Sequence, residues 1–185
     1  ALAALPNGWL VSGCAGGIVK AWDVECRREV GHLPGHEGAE VTALASLSDG
    51  RLLTASGDGV VKVWNVEECR ELASFTRVVA AVVALPNGGA ASSSGDQLVR
   101  LWSADLSAEV ATMPGHAGPV TSLVLLPRSG LLASASHDRT IKTWDVDTRK
   151  PRLTLKGHRG SVDAIDLLPE GHLISASADT FLKVW

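Results

Sequence analysis

Tyrosine is missing from this 185-residue chain, and apart from two Phe the aromatic residues are six Trp. A chain that keeps Trp and discards Tyr gives Trp a particular structural duty. Cysteine is scarce too. Cys14, Cys26 and Cys69 are odd in number, widely spaced, and form no C-x-x-C. That excludes a disulfide framework and a cysteine-rich zinc site. No N-x-[ST] glycosylation acceptor occurs either, and the two absences point to an intracellular protein, cytoplasmic or nuclear. No apolar run approaches the ~18 residues of a membrane span. The longest candidate, Val78 to Pro86, reads as a buried strand, so no membrane insertion is expected. The chain opens on Ala1 with no recognisable signal peptide. Strong charge of one sign is also lacking: the formal net charge is −3, which argues against a dedicated nucleic-acid binder.

Sustained helical periodicity is absent. Nineteen Gly, with many Ser, Thr and Val, favour turns and strands. What the chain does have is a repeat. Trp recurs at Trp22, Trp64, Trp102, Trp144 and Trp185, with gaps of 42, 38, 42 and 41 residues. Trp9 lies off this register and reads as a core residue at the start of a strand. Two positions before each periodic Trp stands a cation: Lys20, Lys62, Arg100, Lys142, Lys183. Six before it stand Asp58, Asp96, Asp138 and Asp179, with Gly16 in the first repeat. Ten before it stand Ser12, Thr54, Ser92, Ser134 and Ser175. A Gly-His pair precedes three repeats, at Gly35-His36, Gly115-His116 and Gly157-His158.

Each period divides into four short strand-like runs. In one, Val120 to Leu126 ends at Pro127, Leu131 to Ser136 leads to a turn at His137-Asp138-Arg139, Thr140 to Val146 leads to a turn near Asp147, and Arg152 to Leu155 closes the unit. Both faces of the runs are largely apolar: in Val60-Val61-Lys62-Val63-Trp64 only Lys62 interrupts. Each small sheet is therefore covered on both sides. Four-stranded sheets stacked face to face by radial repetition make a β-propeller, so the expected fold is all-β, with four-stranded antiparallel blades. Residues 1–185 form one repeat domain, with Trp-ending motifs near 1–22, 23–64, 65–102, 103–144 and 145–185.

The pattern Gly-His, Ser/Thr, Asp, Trp-Asp resembles the WD40 repeat family, best at Gly115-His116, Ser134, Asp138 and Trp144-Asp145. The resemblance implies buried hydrogen-bonded tetrads at His36-Thr54-Asp58-Trp64, His116-Ser134-Asp138-Trp144 and His158-Ser175-Asp179-Trp185. In such a set the Trp indole satisfies its N–H on the hydroxyl, the His bonds the hydroxyl, and the Asp holds the His. Repeat three departs from the pattern. Phe75 to Val79 spans four steps where Met113 to Val120 spans seven, the Gly-His is lost, and an altered, looser crossing is expected there. The strand count comes to four complete blades and one without its outer strand, about 4.5 blades, and rings similar to this family close most often with about seven. We therefore expect the chain to be part of a larger ring; the alternative is an open arc that would oligomerise through its edges.

Catalytic signals are weak. The His and Asp residues that recur with the repeat are explained as tetrad members, and neither G-x-S-x-G nor a P-loop occurs. No catalytic residue, cofactor or metal is expected. His32 and His36 are four apart but not on a helix, which makes a metal pair a poor reading. Arg149 to Arg159 is locally basic and reads as a solvated outer strand, with nucleic-acid contact as the lesser alternative. The resemblance places partner contacts on the narrow face of the propeller. It implies Glu40, Thr42, Thr121, His137, Ser161 and Asp163 as candidates, with Glu40, His137 and Asp163 foremost. The expected function is a scaffold for protein–protein interactions in a multiprotein complex, its partners other proteins or peptides. The alternatives are the substrate-recruiting part of an enzyme or ubiquitin-ligase complex, and a nucleic-acid-associated propeller.

Overall fold

A computed structural model of the chain describes residues 1–36 and 38–185. The described residues form strands and turns, with no helix among them. The first sheet, or blade, holds β1 (Leu2–Ala4), β2 (Trp9–Gly13), β3 (Val19–Asp23) and β4 (Arg28–Leu33). The second holds β5 (Val41–Ser46), β6 (Arg51–Ser56), β7 (Val60–Asn65) and β8 (Arg70–Thr76). The third holds β9 (Ala81–Ala84), β10 (Ala90–Ser93), β11 (Val99–Trp102) and β12 (Glu109–Met113). The fourth holds β13 (Val120–Leu126), β14 (Leu131–Ser136), β15 (Thr140–Asp145) and β16 (Lys150–Lys156). The fifth holds three, β17 (Val162–Leu167), β18 (Leu173–Ser177) and β19 (Leu182–Val184). The architecture is the all-β propeller of antiparallel blades that the Trp period predicts, four complete and one of three strands.

Within a blade each strand pairs antiparallel with the next in sequence, because short turns leave no length for a crossover. The turn between the second and third strands carries one residue at positive φ, five positions before the Trp. These are Gly17 (φ 78°), Gly59 (77°), Gln97 (73°), Arg139 (70°) and Thr180 (72°). Glycine enters that region freely; the other three carry a Cβ there at some cost in strain.

The first strand of each blade lies against the first strand of the next, β1 on β5, β5 on β9, β9 on β13 and β13 on β17. The apolar core is accordingly split into layers between blades. Val11, Val19 and Leu33 of blade one pack on Leu52 and Trp64 of blade two. Leu53, Val61 and Val63 of blade two meet Ala90 and Trp102 of blade three. Leu101 and Met113 meet Leu132 and Trp144, and Ile141 and Ala135 meet Val162, Ile165 and Trp185. Each of these Trp residues thus seals its own blade onto the preceding one. Trp9 is half buried against the first layer. Aromatic area on this scale dominates layer packing, which is the duty that keeps Trp in a chain without Tyr.

Candidate functional site

The end of the propeller where first strands begin and second strands finish is built around buried polar sets. Trp144 and Ser134 are fully buried and His116 nearly so. The Trp144 indole N–H donates to Ser134 Oγ at 2.8 Å. Ser134 Oγ lies 2.7 Å from His116 Nε2, and His116 Nδ1 lies 2.8 Å from Asp138 Oδ2. Burial pushes the His116 imidazole below its ordinary range, against the pull of Asp138. A neutral ring beside a carboxylate must place its proton on Nδ1, so Nε2 accepts from the Ser134 hydroxyl. The chain of donors therefore runs one way, from Trp through Ser and His, and the Asp accepts at the end. Burial works to raise the Asp138 carboxyl, but the Thr140 hydroxyl, the Ala117 N–H and His116 together hold it at about 2. Its other oxygen accepts from Thr140 N at 2.9 Å, so one carboxylate ties the interblade crossing and the hairpin turn together.

The same atoms meet in two other blades. Trp64 Nε1 donates to Thr54 Oγ1 at 2.9 Å, with His36 Nε2 2.7 Å from that oxygen and His36 Nδ1 3.2 Å from Asp58. Trp185 Nε1 donates to Ser175 Oγ at 2.9 Å, with His158 at 2.8 Å from both Ser175 and Asp179. The glycine of the Gly-His pair has a steric cause. A Cβ on Gly115 would lie 3.0 Å from the Trp144 ring, and one on Gly157 would lie 3.1 Å from the Trp185 ring.

Blade three replaces the histidine with charge. Trp102 still donates to Ser92 Oγ at 2.8 Å. Asp96 accepts instead from both terminal nitrogens of Arg100, whose Nε lies 3.4 Å from Glu109. Glu109 in turn accepts from Arg77, on the shortened crossing, at 3.1 Å. Phe75 stacks on Trp102 with ring centroids 4.5 Å apart, where His116 meets Trp144 edge-on at 6.0 Å. The crossing is shorter, as its sequence requires, and an ion chain pins it. Sequence reasoning missed this chain; the Arg at position 100, where the four other repeats carry Lys, was the available signal.

The candidate contact residues surround these sets. Thr42, Thr121 and Asp163 each sit in a β-bulge of a first strand, where the ladder skips a residue. A bulge re-aims its side chain out of the sheet. Two of the three are engaged between blades. Thr42 Oγ1 donates to Ala55 O at 3.2 Å and lies 3.4 Å from Val79 O of blade three. Thr121 Oγ1 lies 3.2 Å from Ala135 O and 2.6 Å from Val162 O of blade five. Ser161 Oγ donates to Asp163 Oδ1 at 2.8 Å. Glu40 and His137 are exposed, and their backbones join the rim ladder through Gly57 N to Glu40 O and His137 N to Pro119 O, both 2.9 Å. Among the described residues no three His, Cys, Asp or Glu side chains cluster as metal ligands. No helix there is long and apolar enough to cross a membrane.

The family model described as "WD domain, G-beta repeat" matches residues 27–65, 107–145 and 149–185, more than half of the chain. The chain belongs to the WD40 repeat family. The matched windows each take in a Trp that closes a complete tetrad, and the repeats of Trp22 and Trp102, which hold only the Trp–Ser bond, lie outside them. Among solved structures, the crystal structure of the WD40 beta propeller domain of Doa1 superimposes with a TM-score of 0.82 at 25% identity, over 95% of this chain and 60% of that one. The chain thus spans about three fifths of the length of that structure. No curated protein sequence matches it. WD40 propellers generally mediate protein interactions and are generally scaffolds without catalytic activity.

Proposed function

We propose that this WD40 propeller is an interaction scaffold in a multiprotein complex, and that its partners, proteins or peptides, dock on the rim carrying Glu40, His137 and Asp163. The observation that supports this most directly is the exposure of these three polar side chains beside the tetrads, Glu40 and His137 on connections and Asp163 in a first-strand bulge. Rigid presentation lowers the ordering cost of binding. Thr42, Thr121 and Ser161 belong to the same rim in a supporting role, since their hydroxyls are engaged within the protein. The buried histidines His36, His116 and His158 are occupied in the tetrads, and no cofactor or metal enters the proposal. We place the protein inside the cell, in keeping with three cysteines that form no disulfide. The test is affinity capture from a source extract with the wild type and with the Glu40→Ala/His137→Ala/Asp163→Ala variant. Loss of the same captured proteins from the variant supports the rim as docking face; full retention by a folded variant overturns it.

A further inference from the structure

The cation two positions before the Trp has a regular neutralising partner. Opposite the Trp on the outer strand stands a Glu: Glu29 faces Trp22, Glu71 faces Trp64 and Glu109 faces Trp102. Each meets its blade's cation, with Lys20 to Glu29 at 2.7 Å, Lys62 to Glu71 at 3.0 Å and Arg100 to Glu109 at 3.4 Å. Blade four breaks the rule. Pro151 faces Trp144 there, and Lys142 has only the neutral Thr154 hydroxyl, at 3.0 Å.

The unneutralised Lys142 adds to a row of others. From Arg149 to Arg159 the chain carries five cations and no acid. Arg149, Lys150, Lys156 and Arg159 are exposed and, among the described residues, have no ion-pair partner. Arg152 alone is paired, to Asp145 at 2.7 Å, which removes the nearer acid; Asp147 remains in the adjoining turn. β16 is the outermost strand of its sheet, so the row lies along a free edge of about seven residues, roughly 20 Å. The outer strands of blades one to three each carry a Glu; this one carries none.

The geometry points to the outer edge of blade four, from Lys150 through Lys142 to Lys156 and Arg159, as a docking surface for an extended acidic peptide segment of a partner protein. Lys142 and Lys156 project from one face of the sheet, and the bulge at Pro151 turns Lys150 to the other, so the edge presents cations on both sides to an acidic segment laid along it. Pro151 offers no N–H, so recognition rests on side-chain charge rather than on adding a fifth strand. A peptide is favoured over nucleic acid by the chemistry of the row. Single-stranded nucleic acids bind through aromatic stacking as well as charge, and the one Trp here, Trp144, is buried. Its Arg159 end adjoins the crossing that carries Ser161, but the argument rests on the charges of the outer strand and stands independently of the rim.

Fluorescence anisotropy with a labelled alternating Asp-Ser dodecapeptide at low salt tests this, with a dT dodecamer as competitor class. The wild type is expected to bind the peptide, and Lys142→Ala/Lys150→Ala/Lys156→Ala to weaken it about fivefold or more. Pro151→Glu, which supplies the acid the other blades carry, is expected to weaken it in the same direction. Arg27→Ala/Arg28→Ala, on the outer edge of blade one, is expected to leave it unchanged. No binding by the wild type, an equal loss in the blade-one variant, or tighter binding of the dT dodecamer overturns the proposal. Circular dichroism on each variant separates lost charge from lost fold.

Discussion

Trp144 buries its whole side chain and finds a single acceptor for its indole N–H, Ser134 Oγ. Ser134→Ala removes that acceptor and strands His116 Nε2 as well, leaving two buried polar groups unpaired. Unfolding in denaturant should show a loss of about 1–3 kcal/mol. Ser12→Ala should cost less, because Ser12 bonds Trp22 in a partly exposed site. The histidines make stability depend on pH. Burial holds the His36 and His116 rings below the ordinary value of 6.5. Below that value the unfolded chain takes up protons that the folded chain refuses, so stability falls as pH drops through about 6.5. Asp138, held at about 2 from an ordinary 3.8, adds a second loss as pH falls from about 4 toward 2. Melting temperature followed from pH 8 to pH 3 should therefore decline through two windows. A His36→Asn/His116→Asn variant, less stable overall, should lose the upper decline; an unchanged upper window would sink this account.

At the scale of the element, blade three is the informative exception. Its crossing, residues 77–80, is tied by Arg77 to Glu109, and Glu109 shares Arg100 with Asp96. Arg100→Ala should cost about 1 kcal/mol, because Asp96 and Glu109 are partly exposed and solvent screens the pairs. The loss should shrink in high salt, whereas the Ser134→Ala loss should not. Hydrogen exchange at residues 75–79 should still exceed that at 113–120 in the wild type, since ion pairs on an open loop resist opening less than a buried tetrad does. Ser93 on β10 is a second oddity. Its Oγ is buried without a hydrogen-bond partner, while Ala55 and Ala135 occupy the matching positions of blades two and four. Ser93→Ala should raise stability by about 1 kcal/mol, read as a shift in the denaturant midpoint with unchanged slope.

At the scale of the whole molecule, stability is laid down in layers between blades, so each blade leans on its neighbours. The outer blades of the described chain show the consequence. On blade five, Phe181, Leu182 and Val184 are 65%, 69% and 58% exposed. The 185-residue chain expressed alone should self-associate through this face. Leu182→Glu/Val184→Glu should reduce the sedimentation coefficient at high concentration, and an unchanged coefficient would mean the association runs elsewhere. Charge is also uneven along the molecule. Thirteen acids face eight Lys and Arg up to Glu109, and seven face nine beyond it. The basic edge of blade four lies in that second part.

The sequence by itself determined the blade. Trp spacing, the hydroxyl ten positions earlier, the Asp six earlier and the Gly-His upstream all act over less than one period, where antiparallel pairing of neighbouring strands leaves one register available. The strand count, the layers sealed by Trp and the atoms meeting in each tetrad follow from that local pattern. Only the tertiary structure decided what happens between blades and at bulges. A bulge adds a residue to one strand without marking it in the pattern, and it sends Thr42 and Thr121 to carbonyls of the next blade. Bulges in the outer strands likewise set Glu29, Glu71 and Glu109 opposite Trp, and Pro151 in the fourth blade. The loss of one neutralising acid and the meeting of Arg100 with Glu109 depend on register across a sheet, which composition and period leave unspecified.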